Sequence, residues 1–342
     1  MTTLHNLVTD VPGVRVGQSD DSRLASGVTT ILLEQPNVAS LVVRGGAPGG
    51  RDTGLLEPEM TVQGVDAIVL SGGSAFGLDA AGGVMAWLRE AGIGLQVGTA
   101  VVPIVAQAIC FDLANGGDKA WGRRPPYWDL GFQAAAAARD GPFKLGTVGG
   151  GYGATTATLK AGLGSASVVT ASGIHVGAIV VVNAIGTATI GTGPHFWAAP
   201  VEAGAEFGGL GMPATMTKAD LALRMKGGAP LSTTLGTTIG LVVTDAILTK
   251  AEAKRLAIMA DDGLARAIRP AHAPMDGDAV FAVATQRQPN RAGAVGLMEI
   301  GLAAADCLAR AIARGVYEAT ALPFPGALPA WRDKFSGMAR TP

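Results

Sequence analysis

A threonine at the head of an apolar strand is the feature of this sequence with the clearest chemical potential. In LSTTLGTTIGLVVTD (231–245), hydroxyl residues surround a lone glycine, and Gly236-Thr237 leads directly into an apolar run. A threonine hydroxyl is a weak nucleophile that needs a base beside it. A chain that cleaves itself before a threonine supplies that base as the new α-amine, whose pKa near ~7.7–8.0 leaves it partly neutral at working pH.

Self-cleavage would ask for three features around this peptide bond. A small residue should precede the threonine, and Gly236 fits because glycine tolerates positive φ. A rigid strand should follow, and TIGLVVTD fits. A mobile segment should come before, and residues 198–230, rich in Gly, Pro and small residues, are typical of a flexible or irregular connector. Spacing alone leaves a second interpretation open, in which Gly236-Thr237 is only the start of a threonine-rich strand.

Four further polar residues could serve such a site. Asp276 and Asp278, in MDGD, would lie on one face of an extended stretch and could orient an amine. A plain Asp-Gly turn, capped by its own aspartates, explains them equally well. Asn183 ends an apolar run, so its amide either stabilises an oxyanion or belongs to a strand-end turn. Lys160 lies in an apolar region, so it either extends to water or is paired in a site.

Other site classes have weaker signals. GGGYGA (149–154) fits a dinucleotide loop, but no acidic residue for the ribose follows before Glu202. LSGGSAFGLD is not G-x-S-x-G, so Ser74 fits a tight strand-to-helix turn better than a nucleophile elbow. No HExxH or CxxC occurs, which disfavours zinc. A Ser-His-Asp triad stays open, but no spacing points to one. The histidines are His5, His175, His195 and His272.

The amino-acid composition limits the classes of partner that this chain is expected to bind. The 342 residues are 48% hydrophobic and only 15% charged, with a net charge of -1. The absence of a basic block disfavours nucleic-acid binding. So low a share of charged residues suggests that part of the surface is covered by partners, which predicts a homo-oligomer. We expect a tetramer of cleaved heterodimers, although composition sets no subunit number. Cys110 and Cys307 lie in apolar runs and are predicted to be buried thiols in a reducing compartment.

No targeting or membrane segment is recognisable. The N-terminal stretch lacks a basic region followed by an apolar core, so we expect no signal peptide. No run reaches about 18 apolar residues without glycine or polar breaks, so we expect no membrane span. A cytoplasmic location is therefore the default expectation.

Hydrophobic periodicity predicts mixed helices and strands in the first half of the chain. VASLVVRGG (38–46) and VDAIVLSGG (65–73) indicate buried strands, and the second leads into a predicted helix over 74–90. Consecutive strands with a turn at Ser172-Gly173 are predicted within 165–191.

The second half of the chain also predicts a mixture of strands and helices. TTIGLVVTDAI predicts a strand, and the helix after it opens with a capping box, Thr249 with Glu252, and stops at Pro270. MDGDAVFAVAT predicts a turn and a strand, and AVGLMEIGLAAADCLARAIARGVYEA a long amphipathic helix. This mixture, with its antiparallel hairpin signals, predicts sheet layers covered by helices rather than a simple βαβ series.

Taken together, these residues resemble a known family: the self-cleaving aminopeptidases and amidases that include L-aminopeptidase D-Ala-esterase/amidase, the β-peptidyl aminopeptidases and the 6-aminohexanoate-oligomer hydrolases. The resemblance covers nearly the whole chain. It runs through GVRVGQ, VRGGAPGGRDTGLL, VDAIVLSGGSAFGLDAAGGVMAWL, VPIV, FDL, LKAGLGSAS, VGAIVVVNAIG, GTTIGLVVTDAILTKAEAKRLAIMADDGLARAIRP and MDGDAVFAVAT. It implies an α+β fold, an αββα sandwich that resembles the N-terminal-nucleophile hydrolases with different strand connectivity.

The resemblance also implies roles for individual residues. Thr237 matches the nucleophile, so autocleavage would divide a single domain into chains 1–236 and 237–342 that stay together. Asn183 matches the family's oxyanion asparagine, and Lys160 matches a lysine of less defined role.

The acidic pair and two departures concern specificity. Asp276 and Asp278 match the acidic pair of the oligomer-hydrolase branch, where other branches carry Ser and Glu. Gly236 replaces the Asn that precedes the nucleophile in the oligomer hydrolases, and Phe111 stands where they have a pocket tyrosine. The chemistry therefore transfers better than the substrate does.

The sequence thus predicts a self-processing N-terminal-threonine amide hydrolase that acts on a small peptide or amide and needs no metal or cofactor. α-Peptides, β-peptides, D-amino acid amides and nylon-type oligomers all remain open as substrates. Two alternatives keep the sandwich. One is an acyltransferase of the ornithine-acetyltransferase type, and the other is an uncleaved relative that only binds small molecules.

Overall fold

The computed structural model describes residues 4–227 and 235–338. Within these ranges two five-stranded sheets, a small hairpin and five α-helices account for the regular structure. The strands are β1 Val14–Asp21, β2 Ser26–Leu33, β3 Val38–Val43, β4 Gly50–Arg51, β5 Ala67–Ser71, β6 Leu95–Val97, β7 Ala100–Val102, β8 Val105–Ile109, β9 Leu163–Val169, β10 His175–Asn183, β11 Thr237–Thr244 and β12 Ala279–Ala284. The helices are α1 Ala80–Glu90, α2 Tyr127–Ala136, α3 Lys250–Ala267, α4 Gly293–Tyr317 and α5 Trp331–Lys334.

The two large sheets have different strand orders. The first sheet runs β1-β2-β5-β8-β4 and the second β3-β12-β11-β10-β9, while β6 and β7 form the separate hairpin. In the second sheet, β11 is central, antiparallel to β10 and parallel to β12. The strands β2, β5, β8, β11 and β12 are buried along their whole length. In β5, β11 and β12 this burial on both faces goes with a nearly continuous apolar run.

Three hydrophobic cores show the layering. One core joins the inner faces of the two sheets, with Ile31, Ile68, Ile179, Leu241 and Phe281 among its members. A second packs α1 and α2 on the outer face of the first sheet. A third packs α3 and α4 on the outer face of the second sheet. The order of layers is therefore α, β, β, α, which confirms the predicted αββα sandwich.

One predicted helix forms only in part. Over 74–90, residues Ser74–Asp79 are a 3₁₀ helix and the α-helix starts at Ala80. The buried Gln107 side chain explains the break: its Nε2 donates to the Gly77 carbonyl at 2.6 Å and its Oε1 accepts from the Ala81 N–H at 3.1 Å. These two backbone groups would bond each other in an α-helix.

Other predictions hold with shifted limits. The hairpin turn at Ser172-Gly173 joins β9 and β10, but regular strand ends at Asn183, and residues 184–191 make only isolated bridges such as Thr187 with Arg269. The connector is irregular over its described part, 198–227, apart from a short 3₁₀ turn. Residues 228–230, and 231–234 of the hydroxyl-rich stretch, lie outside the described residues. Cys110 and Cys307 are both buried, as predicted.

An apolar patch on the surface bears on the predicted self-association. The exposed residues Val295, Met298 and Leu302 share one face of α4, but nothing shows what covers them, and the homo-oligomer remains a prediction.

Within 4–227 and 235–338, none of the helices combines the length and apolar character needed to span a bilayer.

Replacing the cap of α3 tests how this helix is anchored beneath the second sheet. The Thr249 hydroxyl accepts the Glu252 N–H, and the Glu252 carboxylate accepts the Thr249 N–H at 2.6 Å. Thr249→Ala should lower the free energy of unfolding by about 1 kcal/mol, because one N-terminal N–H loses its partner. Chemical denaturation of Thr249→Ala beside Thr249→Ser measures the loss, and equal destabilisation by both variants would contradict the capping role.

Candidate active site

Thr237 lies between the two sheets, at the start of the central strand. It continues the alternate row Ile239, Leu241 and Val243, which packs in the core between the sheets. The residue is only 3% exposed, so its hydroxyl is enclosed in the intact chain. Its Oγ1 donates a hydrogen bond to the carbonyl oxygen of Gly236, the residue before it.

The Gly236–Thr237 peptide bond is polarised from a second direction. The Gly277 N–H donates to the same Gly236 carbonyl oxygen at 3.1 Å. A backbone N–H held against a carbonyl stabilises the negative charge that develops on its oxygen when a nucleophile attacks. The arrangement therefore places a hydroxyl group and a backbone N–H at the carbonyl oxygen of one peptide bond.

Gly236 is required for space rather than for backbone conformation. The sequence-based reason for a glycine here was positive φ, but Gly236 is not among the residues with positive φ. A Cβ at this position would instead lie 2.3 Å from Asp276 Oδ1 and 2.4 Å from the Ile185 nitrogen. The glycine therefore allows the Asp276 carboxylate to approach the Gly236–Thr237 peptide bond.

Asn183 is brought directly beside Thr237 by strand pairing. The two are opposite each other in the β10–β11 register, and side chains so paired lie on the same face about 5 Å apart at Cβ. Asn183 is fully buried. Its Nδ2 donates to the Phe111 carbonyl oxygen at 2.9 Å, and its Oδ1 accepts from the Thr155 N–H at 3.1 Å.

Asp276 and Asp278 lie on either side of Thr237. Asp276 Oδ1 accepts from the Ile185 N–H at 3.2 Å, next to Gly236, and Asp278 Oδ1 accepts from the Thr238 N–H at 2.7 Å. Their other oxygens cap the local turn, as the alternative interpretation predicts: Asp276 Oδ2 accepts from the Ala273 N–H. Burial, reinforced by the charge of Asp278, raises the pKa of Asp276 to about 6.

His272 is a member of the site that the sequence did not indicate. Its Nδ1 lies 3.0 Å from Asp278 Oδ2, and its Nε2 lies 3.4 Å from Asp261 Oδ2. Arg44 reaches the same Asp261 oxygen at 3.5 Å. The hydrogen bond to Asp278, with the charge of Asp261, raises the pKa of His272 above its usual value. A chain of charged groups therefore extends from the Thr238 backbone to the exposed Arg44.

Lys226 is a second residue that the sequence did not indicate. It comes from the irregular segment that precedes Gly236 in the chain, yet it is buried. Its Nζ donates to Asn183 Oδ1 at 2.9 Å and to the Asn183 carbonyl oxygen at 3.1 Å. Desolvation lowers the pKa of Lys226 to about 7.

Lys160 and Phe111 lie in the surroundings of the site. The buried Lys160 ammonium donates to the backbone carbonyls of Gly151, Ala154 and Ala161, so the described contacts do not bring it to Thr237. Burial lowers the pKa of Lys160 to about 7. Phe111 contributes its carbonyl oxygen, the acceptor for Asn183.

A cavity of about 330 Å³ adjoins the Asn183 network. Lys160 and Thr155 line one side, together with Asn115, whose Nδ2 lies 3.4 Å from Asn183 Oδ1. Residues of the segment 322–328 line the other side. The cavity has the size of a small-ligand site.

The weaker candidates have structural explanations. Gly150 and Gly151 pack closely on both sheets, since a Cβ would lie 2.4 Å from the Leu70 carbonyl oxygen and 2.1 Å from the Leu163 nitrogen, respectively. Ser74 has φ of 52°, as an elbow nucleophile would, but no histidine bonds to it within the described part of the chain. In that part, no group of three His, Cys, Asp or Glu side chains is arranged to hold a metal ion.

Comparison of this chain with known protein families identifies the family to which it belongs. Peptidase family S58 matches residues 6–327. The chain belongs to this family. A family S58 assignment is consistent with the resemblance seen in the motifs, and it covers every residue of the site described here.

Individual relatives agree with the assignment. An uncharacterized aminopeptidase of Mycobacterium tuberculosis is 44% identical over 350 residues, which cover 97% of this chain and 98% of the relative. A 6-aminohexanoate-oligomer endohydrolase of a Kocuria species is 27% identical, covering 81% of this chain and 74% of the relative. The solved L-aminopeptidase D-Ala-esterase/amidase of Ochrobactrum anthropi, described as a new variant of the Ntn-hydrolase fold, has a TM-score of 0.71 at 21% identity, covering 99% and 96% of the two chains. The sandwich therefore has the predicted fold.

The raised pKa of His272 predicts a pH-dependent contribution to stability. The folded pKa lies above the unfolded value near ~6.5, so protonated His272 stabilises the fold fully below that value and loses this contribution as pH rises through the folded pKa. His272→Gln should therefore lose more stability at pH 5.5 than at pH 9. Chemical denaturation across this range measures the difference, with the exposed His5→Gln as control. A loss for His272→Gln that does not vary with pH would contradict the charged contact with Asp278.

Proposed function

We propose that this chain is a self-processing amide hydrolase with Thr237 as its N-terminal nucleophile. The observation that carries the proposal is the arrangement at one peptide bond: the Thr237 hydroxyl and the Gly277 N–H both contact the Gly236 carbonyl oxygen. Asn183 and Asp276 lie beside the same bond. Membership of peptidase family S58 supports chemistry on amide bonds.

Processing would begin with the Thr237 hydroxyl. Its Oγ1 attacks the Gly236 carbonyl carbon, an O–C bond forms, and the Gly277 N–H stabilises the oxyanion. The C–N bond then breaks, and the hydroxyl proton passes to the departing nitrogen. Water hydrolyses the ester, which leaves a carboxylate on Gly236 and a free α-amine and hydroxyl on Thr237. The products would be chains 1–236 and 237–342.

Amide hydrolysis would use the same hydroxyl with its new base. The α-amine of Thr237 accepts the Oγ1 proton as the hydroxyl attacks a substrate carbonyl. Asn183 offers an amide N–H to the oxyanion, and Asp276, largely ionised above pH 6, favours the charged form of the amine. The protonated α-amine passes that proton to the substrate nitrogen, the C–N bond breaks, and the amine product leaves. Water then hydrolyses the ester, which releases the acyl group as a carboxylate and restores the Thr237 hydroxyl. Each step uses only groups of the chain and water.

The substrate class is proposed from the relatives and the cavity. The Mycobacterium relative is named an aminopeptidase, and the Kocuria relative is named for 6-aminohexanoate oligomers. The cavity lined by Asn115 and Thr155, which both contact Asn183, has room for a short acyl chain. We therefore propose aminopeptidase or amidase activity on short peptides and amides, with β-peptides and 6-aminohexanoate-type oligomers among the compounds to screen.

Removing the hydroxyl of Thr237 or of Thr238 tests which of these adjacent residues is the nucleophile. Thr237→Ala should abolish both self-cleavage and hydrolysis of amino-acid anilides, because no other group can form the ester. Thr238→Ala is the matched control: its Oγ1 is buried, and no described residue bonds to it, so its loss should leave hydrolysis within about three-fold of wild type. Anilide hydrolysis in Thr237→Ala, or its loss in Thr238→Ala alone, would contradict the proposal. Acyl transfer to an added amine in preference to water would instead favour the acyltransferase.

A methyl group at Gly236 tests the close approach of Asp276. Gly236→Ala should slow self-cleavage about 10- to 100-fold, because the added Cβ meets Asp276 Oδ1 and the Ile185 backbone, and a shift of 1 Å in a reacting group costs rate on this scale. Gly54→Ala is the control, since no atom lies within 4 Å of its added Cβ. The decay of the intact chain on denaturing gels measures both rates. Equal rates would show that the approach of Asp276 is irrelevant to processing.

A further inference from the structure

We propose that Lys226 is a positioning residue for this reaction, whose ammonium group holds the Asn183 carboxamide so that its NH₂ group faces the reacting carbonyl. The proposal rests on the proposed roles of Thr237 and Asn183. It assigns a role to a residue from the irregular segment that precedes the cleavage site, ten positions before Gly236.

The contacts of Asn183 fix which way its amide points. The Thr155 N–H and the Lys226 ammonium can only donate hydrogen bonds, so the atom they share must be the amide oxygen. The amide nitrogen on the other branch donates one N–H to the Phe111 carbonyl oxygen. Its second N–H has no acceptor among the described residues. Because Asn183 is paired with Thr237 across the strands, that N–H is available on the side where an oxyanion would form.

Lys226 is held firmly enough to perform this task. Its backbone N–H donates to the Ile185 carbonyl oxygen at 2.9 Å, and its Nζ bridges the carbonyl and side-chain oxygens of Asn183. The Lys226 side chain thus bonds both the backbone and the side chain of Asn183, the last residue of β10. These contacts would keep Lys226 in place after cleavage, when it belongs to the larger chain.

A buried lysine is costly, and the surroundings of this one do not explain it as a simple ion pair. No carboxylate of the described residues lies within salt-bridge distance of Lys226. Charged or titratable groups that act on it from further away are Asp276, Asp112, Cys110 and Lys160. Burying a charge requires compensating hydrogen bonds, and here two of them go to the single residue proposed as the oxyanion donor.

Lys250 provides a matched control for the loss of a buried lysine. It is also buried, and its Nζ donates to the backbone carbonyls of Leu55, Met60 and Val62 at 2.7, 3.1 and 2.7 Å. These carbonyls belong to the loop beneath the start of α3 and not to the site. Lys250→Met should therefore show the structural cost of such a deletion without a catalytic effect.

The test is a double-mutant cycle on hydrolysis of an amino-acid anilide and on self-cleavage. Lys226→Met should lower kcat about 10- to 100-fold with KM changed less than about three-fold, since part of an oxyanion donor's contribution is lost. Lys226→Met combined with Asn183→Ala should be no slower than Asn183→Ala alone, because Lys226 acts through that residue. Lys250→Met combined with Asn183→Ala should give multiplied effects. Lys226→Gln, which can still donate to Asn183, should recover part of the rate.

The outcomes separate this inference from the proposed function. Wild-type rates in Lys226→Met, or effects of Lys226→Met and Asn183→Ala that multiply, would overturn the role of Lys226 while leaving the nucleophile in place. A wild-type protein that neither cleaves itself nor hydrolyses amides would overturn the proposed function and this inference together. If Lys226→Met fails to fold, Lys226→Gln takes its place in the cycle, and multiplied effects there would equally overturn the inference.

Discussion

The register of β11 against its two neighbours is the constraint on which the candidate site depends. Antiparallel pairing with β10 places Asn183 opposite Thr237, and parallel pairing with β12 brings Asp276 and Asp278 to the same end of the sheet. Because side chains alternate along a strand, a slip of one residue would turn Thr237 toward the helices. Burial of both faces of β11 fixes the register, since Ile239 and Leu241 fill the core between the sheets.

The sequence predicts the layers of this fold better than the limits of its elements. Apolar runs that are buried on both faces predicted β3, β5, β11 and β12, and the capping box predicted the start of α3. The hairpin of β1 and β2 was not predicted, because Ser, Thr and Asp residues interrupt the apolar pattern of both strands. The hydrogen-bond partners of these polar side chains are distant in sequence. The start of α1 was predicted too early, because Gln107, which interrupts it, comes from another strand. Long-range polar contacts of this kind leave no local pattern.

The same distinction holds for the site. Thr237, Asn183, Asp276 and Asp278 mark strand ends or turns in the sequence, and the fold brings these four together. Lys160 was also expected there, but its ammonium is bound by backbone carbonyls instead. His272 and Lys226 left no signal in the sequence. One lies two residues after Pro270 and the other in an irregular segment, and nothing in the spacing shows that His272 contacts two aspartates or that Lys226 is buried. Both act on the site through another polar group, and such contacts emerge only from the packed structure.

The central claim is that the Gly236–Thr237 bond is cut by the chain itself. The most direct test is the intact mass of the purified protein under denaturing conditions, with the N-terminal residue of each product. The account predicts two chains whose masses sum to that of the 34.3 kDa chain plus one water, the smaller beginning at Thr237. A single chain of 34.3 kDa that persists for days, or a cut at any other bond, would contradict it.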